Sequence, residues 1–203
     1  NDYLKKVKQR CEDVGALLIL DEIQPGFGRT GKLFGFQHFD VVPDILVLGK
    51  AMASGLPVGA FTASKALMSL LSDSPKLAHI TTFGGNPVIA SACKATLEVL
   101  LSTSIIQDVD RKEKLFRELL QHDLIEEVRG IGLMLAPLFK SDEIANYLVL
   151  EAKTRGLILF WLLYETKAVR ISPPLTISEE EITKGCGIII DILNEYKKLK
   201  KRE

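Results

Sequence analysis

The chain has 203 residues, 47% of them hydrophobic, and its 26 basic and 26 acidic residues give a formal net charge of zero. This length and composition predict a globular protein with one large domain or two small ones. The balanced charge argues against nucleic acid or an anionic membrane surface as a partner. Three scattered cysteines and three scattered histidines indicate neither a disulfide framework nor a metal site. Because the sequence shows no leader-like opening and no membrane-spanning apolar stretch, we expect a cytoplasmic protein.

The first half of the sequence alternates helical and strand patterns. Apolar residues at helical spacing from Tyr3 to Val14 predict an amphipathic helix that stops at Gly15. Strands are predicted at Leu17–Leu20, Ile45–Leu48 and Val58–Thr62, and helices at Ser64–Leu71, ending in a turn at 73–75, and at Val88–Leu101. The first two strands are unbroken aliphatic runs, which are typical of strands covered on both faces. The repeated change from helix to strand indicates an α/β fold with a parallel or mostly parallel sheet.

A polar break at 102–104 separates this region from one with a different pattern, so we expect one domain at 1–103 and a second at 104–203. The predicted elements of the second domain are a charged helix at Ile106–Gln121, a strand at Gly132–Phe139, a helix from Ser141 to Gly156, strands at Leu157–Trp161 and Ala168–Ile171, and a final helix opened by a capping box at Ser178–Glu181. This order predicts a small α+β domain.

Polar residues follow both aliphatic runs, at the ends where open α/β sheets bind their ligands. Asp21 ends the first run, and Lys50 follows the second after one glycine. An acid and an amine at one edge suit a cofactor with a basic ring nitrogen and an aldehyde. Lys50 is also the only charged residue from Ile45 to Phe61. A desolvated lysine is typical of Schiff-base formation, although a lysine at a strand end can also extend its amine into solvent.

Two glycine-containing segments admit more than one interpretation. Residues 26–31 match the spacing G-x-G-x-x-G, but the segment does not turn directly from a strand into a helix, so a dinucleotide site is not predicted. Its glycines instead predict a tight loop. The segment Thr81–Pro87 contains two threonines, two glycines and a helix-starting proline, which suit either an anion-contacting loop or a polar loop before a helix.

Four blocks of sequence occur in the order found in one enzyme family. They are Asp21–Gly31 (DEIQPGFGRTG), Pro43–Ala51 with its Pro-Asp-Ile and Gly-Lys-Ala ends, Thr81–Pro87 (TTFGGNP) and Val169–Leu175 (VRISPPL). With these blocks the chain resembles the class III pyridoxal-phosphate aminotransferases, above all the ornithine and N-acetylornithine aminotransferases. The resemblance implies the C-terminal part of a fold-type I large domain, with a mostly parallel sheet, followed by a small α+β domain. It also implies that the phosphate-cradling loop and the ring-stacking aromatic residue belong to an absent N-terminal half.

The resemblance implies a role for each cofactor-binding residue. Lys50 would hold pyridoxal 5'-phosphate as a Schiff base and act as general acid and base. Asp21 would bind the protonated ring nitrogen, and Gln24 would contact the phenolic oxygen, whereas Glu22 is predicted to be structural. Thr82 would be a phosphate ligand donated by the neighbouring subunit, which implies a homodimer with a shared active site. Without the resemblance, Asp21 could equally be a helix cap or part of an ion pair at a strand end.

Two further residues are implied to contact substrate. Arg170 would bind the carboxylate of the 2-oxo acid or amino acid, since a guanidinium can hold a carboxylate through two parallel hydrogen bonds, and Thr81 would lie beside the substrate. Without the resemblance, Arg170 would be an ordinary surface arginine. Trp161 and Tyr164 depart from the small or polar residues that the family leads us to expect at these positions.

The implied reaction is transamination between an amino acid or ω-amine, such as ornithine or acetylornithine, and 2-oxoglutarate. The implied partners are therefore small molecules and a second subunit, with no nucleic acid and no membrane. This chain alone is expected to be inactive. Two alternatives stay open, namely a related pyridoxal-phosphate enzyme such as a dialkylglycine-type decarboxylase, and a folded, non-catalytic or dimerisation fragment.

Overall fold

The computed structural model describes residues 2–73, 76 and 79–201. Backbone contacts divide the chain into two compact units, one extending to Ile106 and the other beginning at Gln107. Each unit contains both helices and short strands.

In the first unit, a helix precedes a three-stranded sheet. Helix α1, Tyr3–Val14, ends at Gly15, whose φ of 69° is a left-handed conformation that glycine adopts easily. Strand β1, Ile19–Asp21, pairs in parallel with β2, Ile45–Gly49, and β3, Gly59–Ala63, pairs antiparallel with β2. The predicted helix and its stop are confirmed, and the third strand makes the described sheet a mixed one.

The strands of this sheet are less covered than their aliphatic runs predict. Leu46 on the central strand is 9% exposed, but Ile19 on β1 is 56% exposed, and Leu17 lies outside the strand and is half exposed. The strand order places β1 at an edge of the described sheet. Because successive side chains of an extended segment point to opposite faces, the buried Leu18 and the exposed Leu17 and Ile19 show that one face is covered and the other is open. The expectation that β1 is covered on both faces is therefore wrong for this chain.

Helices complete the first unit. They are α2, Lys65–Asp73, and α3, Pro87–Ser102, together with short 3-10 helices at Gly35–His38 and Lys50–Ala53. Both α-helices were predicted, within two residues at each end. Positions 74 and 75 of the predicted turn after α2 lie outside the described residues.

The second unit follows a helix-hairpin-helix order. Its elements are α4 (Asp108–Leu119), β4 (Ile125–Ile131), β5 (Met134–Phe139), α5 (Asp142–Thr154), β6 (Phe160–Trp161), β7 (Val169–Arg170) and α6 (Glu179–Lys200). Strands β4 and β5 form one antiparallel pair, and β6 and β7 form another. Isolated bridges from Leu135 to Ile171 and from Leu138 to Ala168 attach β5 to the chain on either side of β7. Strand β4 was not predicted, because charged residues interrupt its apolar pattern.

The last helix has the start and the buried face that its sequence predicts. At its N-terminus the Ser178 hydroxyl accepts a hydrogen bond from the Glu181 N–H at 3.1 Å, and the Glu181 carboxylate accepts one from the Ser178 N–H at 2.8 Å. The apolar residues that recur at helical spacing in its sequence are all buried, namely Ile182, Cys186, Ile189, Leu193 and Tyr196. Burial raises the pKa of the Cys186 thiol to about 12, so this cysteine remains protonated at neutral pH.

Two further kinds of feature are relevant to the described residues, namely membrane-spanning helices and metal-binding groups of side chains. None of the helices within the described ranges is long and apolar enough to cross a membrane. The same residues contain no group of three or more histidine, cysteine and acidic side chains placed to hold a metal ion. All three cysteines are free thiols.

Candidate active site

The parallel pairing of β1 with β2 brings Asp21 and Lys50 to the same edge of the sheet. Asp21 is the Cα partner of Val47, and the next N–H, that of Glu22, donates to the Val47 carbonyl at 2.9 Å. Lys50 follows directly after Gly49, the last residue of β2. The acid and the amine therefore leave neighbouring strands at their carboxyl ends, where open α/β sheets place ligand-binding groups.

A close contact holds the two strand ends together. A methyl group added at Gly49 would lie 3.4 Å from Ile23 Cγ2 and 3.3 Å from the Val58 carbonyl oxygen. The segment that follows Asp21 thus packs directly against the residue that precedes Lys50. The added methyl group would be in ordinary van der Waals contact with Ile23 and closer than usual to the Val58 carbonyl oxygen, so alanine at position 49 would require a small shift at Val58.

Lys50 itself is exposed and adopts an unusual backbone conformation. Its φ of 43° lies in the left-handed region, which costs a residue other than glycine about 1–2 kcal/mol. It begins the 3-10 helix Lys50–Ala53, whose buried residue is Ala53. Of the two alternatives that the sequence leaves open for Lys50, the solvent-exposed one holds in this chain, with the small neighbours Gly49 and Ala53 in the buried positions.

The turn that follows Lys50 is attached to α3. Thr96, which is 9% exposed, forms a hydrogen bond from its Oγ1 to Ser54 Oγ at 3.0 Å. Ser54 has a φ of 45° and ends the short helix that Lys50 begins. Sequence reasoning missed this pair because the two hydroxyls are 42 positions apart and no local pattern joins them.

Asp21 is exposed, and its carboxylate retains free acceptor capacity. Its Oδ1 accepts a hydrogen bond from the Ile23 N–H at 2.9 Å. A carboxylate has several acceptor positions on its two oxygens. One contact with the backbone therefore orients the side chain and leaves acceptor positions for a ligand.

Glu22 has a structural role, as predicted. Its side chain is buried, and its two oxygens accept hydrogen bonds from the N–H groups of Gly35 at 2.8 Å and Phe36 at 2.7 Å. Gly26 lies so close that an added methyl group would be 2.6 Å from the Glu22 carbonyl oxygen. These contacts close the loop that contains the half-buried Gln24.

Thr81 and Thr82 lie on an exposed turn before α3. The Gly84 N–H donates to the Thr81 carbonyl at 3.2 Å. At the start of the helix, Asn86 Oδ1 accepts from the Val88 N–H at 3.0 Å and the Ile89 N–H at 3.3 Å. Since the chain's own asparagine caps these amides, an anion at this turn would meet the threonine hydroxyls rather than the helix amides.

Arg170 belongs to the second unit. It is half-buried on β7, and its Cζ lies over the ring of Phe160, 5.1 Å from the ring centroid. The neighbouring Trp161 donates from Nε1 to Asn146 Oδ1 at 2.7 Å, and Tyr164 is 99% exposed. The contact between Arg170 and Phe160 was not predicted, because it depends on the pairing of β6 with β7.

Comparisons with known proteins agree over nearly the whole chain. A family model described as aminotransferase class III matches residues 1–193. The putrescine aminotransferase of Pectobacterium atrosepticum is 40% identical over 201 residues, which cover 96% of this chain and 43% of that protein.

Two solved structures show the same similarity. An ornithine aminotransferase from Toxoplasma gondii, described as having partial occupancy of PLP at its active site, matches with a TM-score of 0.88 and 32% identity over 98% of this chain and 48% of its own. The N-acetylornithine aminotransferase from Stenotrophomonas maltophilia K279a matches with a TM-score of 0.84 and 31% identity over 98% of this chain and 52% of its own. The chain therefore spans about half the length of these proteins.

Proposed function

The chain belongs to the class III aminotransferase family, and we propose that the whole protein transfers an amino group to 2-oxoglutarate. The donor is an amino acid or ω-amine of the ornithine, acetylornithine or putrescine kind, as the names of the relatives suggest. The observation that carries the proposal is the placement of Asp21 and Lys50 at the carboxyl ends of two paired parallel strands.

The family is dependent on pyridoxal phosphate, and the residues at the strand ends fit that cofactor. Lys50 presents an exposed amine and Asp21 an exposed carboxylate at the same edge, which match an aldehyde and a basic ring nitrogen. When bound, pyridoxal phosphate supplies a conjugated ring that takes up negative charge from the substrate carbon beside the nitrogen. Gln24 and Thr82 are proposed to contact its phenolic oxygen and its phosphate.

Each strand-end residue has a distinct task in this proposal. The Lys50 amine would hold the cofactor, and the same amine would carry a proton to and from the substrate carbon. The Asp21 carboxylate keeps a proton on the ring nitrogen through a charge-assisted hydrogen bond. Its hydrogen bond from the Ile23 N–H fixes the carboxylate while this proton is held.

Substrate and partner roles complete the proposal. Arg170 binds the carboxylate of the 2-oxo acid or amino acid, because its planar guanidinium can donate two parallel hydrogen bonds. Thr81 lies beside the substrate. Thr82 serves the active site of a neighbouring subunit, so we propose a homodimer with shared sites.

The 203-residue chain alone is proposed to be inactive. Both Asp21 and Lys50 are exposed in it, so a substrate would be held loosely and in contact with water. Correct orientation of reacting groups can account for roughly 7–11 kcal/mol of barrier lowering. A loosely held substrate would lose most of that contribution.

A coupled assay for glutamate formation tests the proposal. The full-length protein and the isolated chain are each given ornithine, acetylornithine or putrescine together with 2-oxoglutarate. We expect glutamate from the full-length protein alone, without carbon dioxide release. Carbon dioxide release would favour a dialkylglycine-type decarboxylase, and equal turnover by both proteins would refute the inactivity of the chain. The absence of glutamate from the full-length protein with every donor would refute the proposed reaction.

A further inference from the structure

We propose that Phe160 is a positioning residue for Arg170 and that its ring orients the guanidinium toward the carboxylate of the 2-oxo acid. This inference rests on the proposed function. Phe160 and Arg170 are Cα partners in the antiparallel pair of β6 and β7. Residues directly opposite in such a pair place their side chains on the same face of the sheet.

The contact uses the face of the guanidinium and leaves its edge available. Arg170 Cζ lies 5.1 Å from the centroid of the Phe160 ring, within the distance typical of a cation–π interaction. All N–H donors of a guanidinium lie in its plane, so a ring over its face occupies none of them. Among the described residues, no hydrogen-bond acceptor or carboxylate is paired with this guanidinium. The donors are therefore available for a bidentate interaction with a carboxylate.

The backbone around the pair is fixed by the core of the second unit. Val169 is fully buried, and Ile171 is bonded to Leu135 of β5 through reciprocal backbone hydrogen bonds of 3.0 and 2.8 Å. On β6, the Trp161 Nε1–H donates a hydrogen bond to Asn146 Oδ1 of α5. With the backbone held on both sides, the remaining freedom of Arg170 lies in its long side chain. The Phe160 ring restricts that freedom and so reduces the entropy that carboxylate binding must overcome.

This role predicts an effect that depends on the substrate. 2-Oxoglutarate carries the carboxylate that Arg170 is proposed to bind, whereas a diamine such as putrescine carries no carboxylate. Loss of the ring should therefore weaken the interaction with the oxo acid and leave the interaction with the diamine unchanged. A change that only loosened the fold would affect both substrates.

The test is a steady-state comparison in the full-length protein. We expect Phe160→Leu to raise KM for 2-oxoglutarate about two- to fivefold. The KM for putrescine and the kcat of the reaction should stay unchanged. Phe160→Tyr keeps the ring and should restore the original KM. Phe160→Met, which also lacks a ring, should repeat the result of Phe160→Leu, so that a folding defect in one variant does not decide the outcome.

Parallel measurements on Arg170→Ala separate this inference from the proposed function. If Arg170→Ala raises KM for 2-oxoglutarate strongly and the ring-free variants leave it unchanged, the role of Phe160 is wrong and the proposed reaction stands. If Arg170→Ala also leaves this KM unchanged, Arg170 does not bind the carboxylate, and the inference falls with that assignment. The absence of turnover in the unmodified full-length protein would overturn the inference together with the reaction on which it rests.

Discussion

The two compact units differ in what holds them together. The second unit has a continuous apolar core in which Phe139, Leu148 and Leu193 are completely buried. In the first unit, by contrast, Leu17 and Ile19 are at least half exposed, although they belong to one of its two aliphatic runs. The proposed cofactor-binding residues lie in the unit with the less buried strands. Burial of apolar surface therefore accounts for the second unit better than for the first.

Polar contacts take a larger part in the first unit. The buried Glu22 carboxylate closes one loop through two backbone N–H groups. The Asp44 carboxylate joins two segments, since its Oδ2 accepts from the Leu18 N–H at 2.7 Å and from Lys8 Nζ at 2.9 Å. Substitutions in the first unit should consequently affect turnover and the pH dependence of stability. Core substitutions in the second unit should instead lower the free energy of unfolding.

The largest effect is expected from Asp21→Asn in the full-length protein. The ring nitrogen would lose its charged partner, so turnover should fall by about two to three powers of ten. The free energy of unfolding should change by no more than about 0.5 kcal/mol, because Asp21 is exposed. Asp40→Asn is the matched control, since Asp40 is an exposed aspartate of the same unit. Unchanged turnover in Asp21→Asn would mean that Asp21 has only a structural role.

A core substitution tests the second unit. Leu148 on α5 is completely buried, and Leu148→Ala should lower the free energy of unfolding by about 2–5 kcal/mol. Leu150 lies on the same helix but is 58% exposed, so Leu150→Ala should change it by at most about 0.5 kcal/mol. Urea unfolding of both variants gives the comparison. Equal losses would contradict the view that burial stabilises this unit.

A smaller effect is expected from the buried amine of Lys112. Its Nζ donates to the Leu175 carbonyl at 2.6 Å, and the residue is 7% exposed. Lys112→Met leaves that carbonyl without its donor and should cost about 1–3 kcal/mol in unfolding free energy. Lys114→Met, two positions away on the exposed side of α4, is the control. A more stable Lys112→Met protein would show that burying the ammonium costs more than its hydrogen bond contributes.

The smallest effect is a pH dependence in the first unit. The hydrogen bond from the Leu18 N–H and the neighbouring Lys8 lower the pKa of Asp44 below its ordinary value of 3.8. A lowered pKa in the folded state means that the stabilisation is present above pH 3.8 and is lost as the pH falls through the folded-state pKa. Asp44→Asn should thus be less stable at neutral pH, and its difference from the original protein should shrink in acid. A difference that stays constant across a urea-unfolding series at decreasing pH would contradict this assignment.

Local signals predicted much of the fold. The amphipathic spacing of α1, the proline at the start of α3 and the capping box of α6 each lie within a few residues, so they could be read without tertiary information. Strand β4 could not be predicted in this way, because it is held by its pairing with β5 and has an interrupted apolar pattern.

Some features of the candidate site could likewise be predicted from local sequence, and others could not. The apolar runs that end at Asp21 and shortly before Lys50 predicted their common edge, because parallel strands bring their carboxyl ends together. The exposure of Lys50 is one of the two outcomes that the sequence leaves open. The contact of Arg170 with Phe160 could not be predicted, since it depends on the pairing of two strands. The chemical roles of Asp21, Lys50 and Arg170 stay predictions that only experiments on the protein can test.

The most direct test of the central claim is to locate the cofactor on the chain. The full-length protein is loaded with pyridoxal phosphate, reduced with borohydride, digested and mapped by mass spectrometry. We expect the reduced cofactor on the peptide that contains Lys50. Lys32 and Lys65 are also exposed in the same unit and serve as internal comparisons. Labelling of either one in place of Lys50 would contradict the assignment of the active site.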